Sequence, residues 1–257
     1  MLIDIEVDKK GFLNGLALAG KNMDFAESLA LNRTANIVRD RLKKLMTEKL
    51  DRPTPKTLAS NLVVYSKKTD KEKSVLIFIN DGQRGRTDAA KGTAPVKYLS
   101  PLIEGGPRNV KRTETALKMN SLLFTKSQSN KTHVAPSTKI PRDPFGNLPK
   151  GQYTKILSDM RAGVEGNRAY KKRGAYKGRA SYYIRPGSPV VFLRAGRVVI
   201  PALVAIKAPN YKKILPWYET VEKTWDDNIQ EQTEIAIYEA ITKGFEKQVF
   251  TGSLMEK

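Results

Sequence analysis

Two stretches with the spacing of long amphipathic helices, one near each end of the chain, constrain the fold more than any other feature of this sequence. Between about Asp24 and Leu50, the residues Leu31, Ala35, Val38, Leu42 and Leu45 recur at alternating steps of four and three, the stripe of one helix face. Arg33, Arg39, Arg41, Lys43 and Lys44 take the remaining surface. Pro53 and Pro55 end the run, because proline lacks the N–H that a continuing helix needs. After Pro209 and Pro216 a second helix is predicted to about Gly244, with Val221, Trp225, Ile229, Ala236 and Ala240 along its apolar side and Ile237 and Ile241 beside them.

Shorter β-type runs lie between these helices. The opening Leu2, Ile3, Ile5 and Val7 alternate with Asp4, Glu6 and Asp8, which predicts a half-buried strand, followed by a loop carrying Gly11, Gly15 and Gly20. Leu62 to Tyr65 and Ser74 to Ile79 read as a hairpin around the polar Lys67–Glu72, ending at Asn80, Asp81 and Gly82. Val96–Ile103 is a short helical piece broken by Gly105 and Gly106, Val110–Leu123 is helical, and Gln152–Ala162 is a short amphipathic helix. Tyr182–Ile184, Val190–Leu193 and Val198–Ile206 read as strands, the last two joined through Ala195, Gly196 and Arg197, with Pro201 marking an edge or a bulge.

The expected fold class is therefore α+β: a long N-terminal helix with a β-hairpin, a second small antiparallel β segment and a long C-terminal helix, with extended arms. At about 150 residues per domain, 257 residues make one large domain or two small ones. The predicted organisation is an α+β core unit over 1–120, an extended arm or loop over 121–150, and a region over 151–257. That last region holds a helix, a basic loop, a β-hairpin and the acidic C-terminal helix. The Ser, Thr, Asn and Pro content of Leu123–Lys150 is what suggests the arm.

Charge narrows the functional classes. Forty-six Lys and Arg against 26 Asp and Glu leave a net charge of +20, which predicts a polyanionic or acidic partner. With no cysteine, disulfides, thiolate nucleophiles, Cys-type zinc sites and iron–sulfur clusters are excluded. His133 is the only histidine, so a multi-His metal site is excluded too; its polar surroundings predict a solvated side chain in a loop. Gly82, Gly85, Lys91 and Gly92 lack the order of a phosphate-binding loop, and Asp81, Asp88 and Asp143 stand singly in turns. No nucleophile, base and orienting group come together, so neither an enzyme nor a cofactor is expected. No run reaches the roughly 18 apolar residues of a membrane span. Lys9, Lys10 and Gly11–Ala19 imitate a signal peptide, but Asp4, Glu6, Asp8 and Asn14 spoil the pattern, and a cytosolic product is the expectation.

Two features suggest interaction surfaces. The C-terminal helix concentrates acid, with Glu219, Glu222, Asp226, Asp227, Glu231, Glu234 and Glu239 against Lys223. Such a helix could be a solvated face, or it could dock head to tail on the basic surface of another copy and close a ring. Trp217 and Trp225 on the same helix are candidate core or interface anchors. The second feature is the loop holding Arg168, Lys171, Lys172, Arg173, Lys177 and Arg179, interleaved with Tyr170 and Tyr176. Its composition suits phosphate contact and stacking in sequence-independent nucleic-acid binding, or ordering against an acidic protein surface. No helix-turn-helix, zinc finger or aromatic ribonucleoprotein signature accompanies it.

Four short blocks, in order, resemble the minor tail protein Z family of tailed bacteriophages. They are Ala30-Leu31-Asn32-Arg33-Thr34-Ala35; Asp51-Arg52-Pro53-Thr54-Pro55; Lys97-Tyr98-Leu99-Ser100-Pro101-Leu102-Ile103-Glu104-Gly105-Gly106 with Arg108; and Asp143-Pro144-Phe145-Gly146-Asn147-Leu148 before Gly151-Gln152. They span roughly residues 30 to 160; the rest is similar in layout only. The resemblance implies a non-enzymatic virion protein, made in the host cytoplasm, that completes the tail at its junction with the head. It implies a homo-oligomeric ring, expected as a hexamer, through which DNA passes, next to neck, portal-adaptor or tail proteins and with possible DNA contact. It brings no catalytic residues. Lys97, Arg108, Lys111 and Arg112 around the Gly105-Gly106 step are the expected interface patch, together with Glu222, Asp226, Asp227, Trp217 and Trp225 of the final helix.

Overall fold

The computed structural model describes residues 9–82, 93–119, 131–160, 181–185 and 187–252. The chain is α+β, with six helices and eight strands among those residues. It divides into two compact units, and they do not follow the linear partition read from the sequence. Unit 1 joins Met1–Lys49, Pro55–Thr87 and Leu215–Lys257; unit 2 is Leu50–Thr54 with Asp88–Ile214. The two ends of the chain belong together because the long helices each carry an apolar stripe and bury it against the other.

In unit 1, helix α1 (Lys9–Lys49) runs antiparallel to helix α6 (Trp217–Gly252), since Asn22 reaches the Ala240 carbonyl while Met46 lies by Asn61, which holds Trp217. Ala26, Ala30, Ala236 and Ala240 form the buried seam, small residues that let the two backbones come close. The predicted stripe is largely buried, Ala35, Val38 and Leu42 completely. Arg33 grips Glu239 of α6 with both guanidinium nitrogens, at 2.9 and 3.2 Å, and holds that carboxyl below its ordinary pKa. Helix α2 (Pro55–Leu58) leads into strands β1 (Asn61–Val64) and β2 (Leu76–Ile79), the predicted hairpin. Its side chains and backbone fasten to α1: Asn32 brackets the Ser66 backbone at 2.9 Å on both its N–H and C=O, and the Tyr65 hydroxyl donates to Asn36.

The expected loop at Gly11, Gly15 and Gly20 is corrected: all three lie inside α1. A glycine costs a helix interior about 1 kcal/mol. The predicted strand over Leu2–Val7 lies outside the described residues.

Unit 2 is built on four antiparallel strands in the order β4 (Lys131–Pro136), β7 (Val198–Lys207), β6 (Val190–Ala195), β5 (Ser181–Ile184). Helices α4 (Arg112–Met119) and α5 (Lys150–Asp159) cover one face of the sheet. Ala116, Leu117, Ile156 and Leu157 from the helices pack there against Val134, Tyr182, Val191, Leu203 and Ala205. The β6–β7 hairpin matches the prediction, and Pro201 sits at a bulge beside Ala202, past the point where β4 ends opposite Leu203. A proline fits there because β7 no longer has β4 to donate to.

The predicted arm over 121–150 is also corrected. Residues 131–136 form β4, and Ile140 and Leu148 beyond it are buried in the core; 121–130 lie outside the described residues. The polar composition concealed a strand whose partner comes some seventy residues later. Helix α3 (Pro95–Ile103) ends in Gly105 and Gly106 at φ +85° and +95°, the left-handed backbone that turns the chain into β3 (Gly106–Pro107), paired with β8 (Asn210–Tyr211). Two of the four family-like blocks meet in this unit: the Arg52 guanidinium lies 3.1 Å from where a side chain at Gly146 would begin. Gly146, at φ +78°, closes a turn whose Asp143 carboxylate accepts the N–H groups of Phe145 and Asn147 at 3.0 and 2.7 Å.

Candidate interaction surfaces

Helix α6 turns Ala236 and Ala240 to α1, while Ile241 of the predicted apolar side stays exposed, as do Ile235 and Tyr238. Glu222, Asp226, Asp227, Glu231 and Glu234 are all exposed, and Lys223 is the one exposed base among them. At 100° per residue they spread around the helix: Glu222 and Asp226 project on the side of Ala240, and Asp227, Glu231 and Glu234 on the opposite side. Glu222, Asp226 and Asp227 have no ion-pair partner among the described residues, whereas Glu239 is already engaged by Arg33.

The basic excess lies elsewhere. Unit 1 contains 20 Lys and Arg against 19 Asp and Glu, so it is nearly neutral. Unit 2 contains 26 against 7, so it carries +19 of the net +20. The sequence shows the acidic helix but not this division, because unit 1 is assembled from three separated stretches.

Around the Gly105-Gly106 step, the predicted basic patch is partly used up. Lys97, Lys111 and Arg112 are exposed, but Arg108 makes a bidentate pair with Glu114 at 2.5 and 2.9 Å, and Glu114 is completely buried. That carboxylate also accepts the backbone N–H groups of Lys111 at 2.6 Å and Val134 at 2.8 Å. Burial pushes its pKa up, and the Arg108 guanidinium with the two N–H groups pulls it down further, for a net lowering. His133, expected in solvent, is 3% exposed on β4. Its Nε2 lies 3.1 Å from the Arg108 carbonyl and its Nδ1 2.8 Å from the Thr132 hydroxyl, so one partner is its neighbour in sequence and the other comes from 25 residues away.

The lowered pKa of Glu114 sets a pH dependence. Its carboxylate contributes in full above the ordinary glutamate value, and the contribution is lost as pH falls through the depressed folded-state value. Urea titrations from pH 7 to pH 3 should show stability falling on the acid side, and Glu114→Gln should flatten that limb. An identical acid limb in the variant would assign it to other carboxylates.

Carboxylates also close both edges of the four-stranded sheet. Glu114 takes the Val134 N–H on β4, and Asp159, at the end of α5, takes the Tyr182 N–H on β5 at 2.9 Å. Pro136 adds a position with no N–H. Another strand is thereby discouraged from adding to this sheet, which leaves its side chains as the means of contact.

Trp217, a candidate interface anchor, is 7% exposed, and its indole N–H donates to Asn61 at 3.0 Å within unit 1. It is therefore a core residue and not available to a neighbour. Trp225 is half-buried. The basic loop from Arg168 to Arg179 lies outside the described residues. Among the described residues no group of three His, Cys, Asp or Glu could hold a metal ion, and no helix is long and apolar enough to cross a membrane. No family model, curated protein or solved structure matches the chain.

Proposed function

We propose that this chain is a structural, non-enzymatic subunit of a bacteriophage virion, located in the neck or upper tail. There it completes the tail and joins it to the head as a homo-oligomeric ring, a hexamer, through which DNA passes. The observation that carries the reading is the separation of charge: exposed acids concentrated on α6 of a nearly neutral unit, three of them (Glu222, Asp226 and Asp227) with no ion-pair partner among the described residues, and +19 on the other unit. Identical copies arranged head to tail set the acidic helix of one against the basic unit of the next, a heterologous contact that closes into a ring. The four family-like blocks supply the phage context, and the blocked sheet edges favour assembly through side chains. Neighbouring neck, portal-adaptor or tail proteins are the further partners.

The triple variant Glu222→Lys, Asp226→Lys, Asp227→Lys tests it. All three residues are exposed, so the fold should survive. Light scattering should give a multi-subunit mass for the parent chain and a single-chain mass for the variant. An unchanged mass rejects docking through α6, and a parent chain that is already solitary favours the alternative, a monomeric, sequence-independent nucleic-acid binder using the Arg168–Arg179 loop.

A further inference from the structure

We infer that the face of the unit 2 sheet opposite α4 and α5 is a stacking platform for single-stranded nucleic acid. Strand register places on one face the residues that the helix-side core leaves out. Ser181, Arg194 and Val199 form one row across β5, β6 and β7; Tyr183, Phe192 and Pro201 form the next. Tyr183 and Phe192 are half-buried neighbours, their ring centroids 5.8 Å apart and their planes tilted by 30°. The Arg185 guanidinium lies 4.9 Å from the Phe192 ring centre. Arg185, Arg194 and Arg197 are exposed and have no carboxylate partner among the described residues.

Each component has a chemical counterpart in the ligand. Adjacent aromatic rings on a sheet accept unpaired bases, whose π-faces are open only when the strand is single, and a guanidinium plane is a further stacking surface. Arginines with no carboxylate partner among the described residues suit phosphate, and the whole unit carries +19. A duplex would satisfy the arginines but keep its bases away from Tyr183 and Phe192, so the rings are what select the single strand. An acidic protein would use the same charge but has no need of the two rings. The inference does not depend on ring formation, and the two are read by different measurements.

The test uses the full chain and fluorescein-labelled oligo-dT of about 15 nucleotides, the upper range of one such site, beside a duplex of equal length. Anisotropy titrations should show tighter binding of the single strand, weakening as salt rises. Tyr183→Leu and Phe192→Leu keep apolar bulk but remove the π-face. Each should weaken oligo-dT binding about tenfold, with an unchanged salt slope, while Tyr183→Phe restores binding. Arg194→Ala, at an exposed position, should reduce the log–log salt slope by about 0.7. Equal affinity for the duplex, or leucine variants that melt like the parent and bind like it, would overturn the inference, as would no binding at low salt. If a leucine variant melts early, Arg194→Ala decides: a parent-like slope overturns the inference and a reduced slope supports it. The oligomeric mass of the same samples reports separately on the ring.

Discussion

Replacing Glu114 with alanine is expected to lower the stability of unit 2 by about 3–5 kcal/mol, the range for breaking a buried ion pair by removing one partner. The position joins several parts of the unit. Its carboxylate binds Arg108 in the connection before α4, the Lys111 N–H at the start of that helix and the Val134 N–H on the edge strand β4. Removing it leaves Arg108, only 13% exposed in its side chain, without its counter-charge, and leaves two N–H groups without their acceptor. It also frees the β4 edge that the carboxylate closes. Glu114→Ala should therefore show both a lower urea midpoint and a greater tendency to aggregate. Replacing both partners by apolar residues of similar size, Glu114→Leu with Arg108→Met, should recover part of the loss, because the larger penalty is the uncompensated charge and not the absent attraction. A single Glu114→Ala variant as stable as the parent would mean that water reaches the site and replaces every bond.

What the sequence made legible follows from where each signal is stored. The stripe from Leu31 to Leu45 is a local pattern, repeated over several turns, and the structure buries it as read. The β1–β2 and β6–β7 hairpins are equally local. By contrast, β4 pairs with β7 across some seventy residues, and its short run through Thr132, His133 and Val134 is polar enough to pass for a loop. Its order comes from partners that sequence proximity does not reveal: Glu114, Arg108 and β7. A trace of the Glu114 site was nevertheless present, since this acid stands three residues before Leu117 and so falls on the buried side of α4. An acid on an apolar face signals a buried polar contact.

The surfaces show the same division. The acids of α6 are close together in sequence, so their concentration in one element is legible there. The near-neutrality of unit 1 and the +19 of unit 2 became visible only once the two ends of the chain were brought together. The pairing of Tyr183 with Phe192 depends on the register across the turn containing Gly187, Ser188 and Pro189, longer than the two-residue turns whose geometry fixes register by itself. Charge at Arg108 was misassigned to the surface for the complementary reason: an arginine looks exposed in sequence until its buried carboxylate is found.

Trp217→Ala is the second large effect, an expected loss of about 3–5 kcal/mol confined to unit 1. The buried indole stands edge-on to Tyr218 at 5.1 Å and donates its N–H to a buried Asn61 oxygen. Asn61 in turn faces Met46 of α1, so the tryptophan ties the start of α6 to the end of α1 through the first residue of β1. Trp217→Phe should separate the two contributions: it retains most of the apolar volume but leaves the Asn61 oxygen without its donor, a cost of about 1–3 kcal/mol. Trp225→Ala, at a half-buried position on the same helix, should cost less than Trp217→Ala. Circular dichroism during urea denaturation gives the order of the three, and light scattering on the folded fraction gives their assembly. A core residue predicts loss of stability in that order, with assembly kept wherever the chain remains folded. If Trp217→Ala instead melts like the parent and only assembly is lost, the indole belongs to a subunit contact, and α6 must turn about its axis when copies meet.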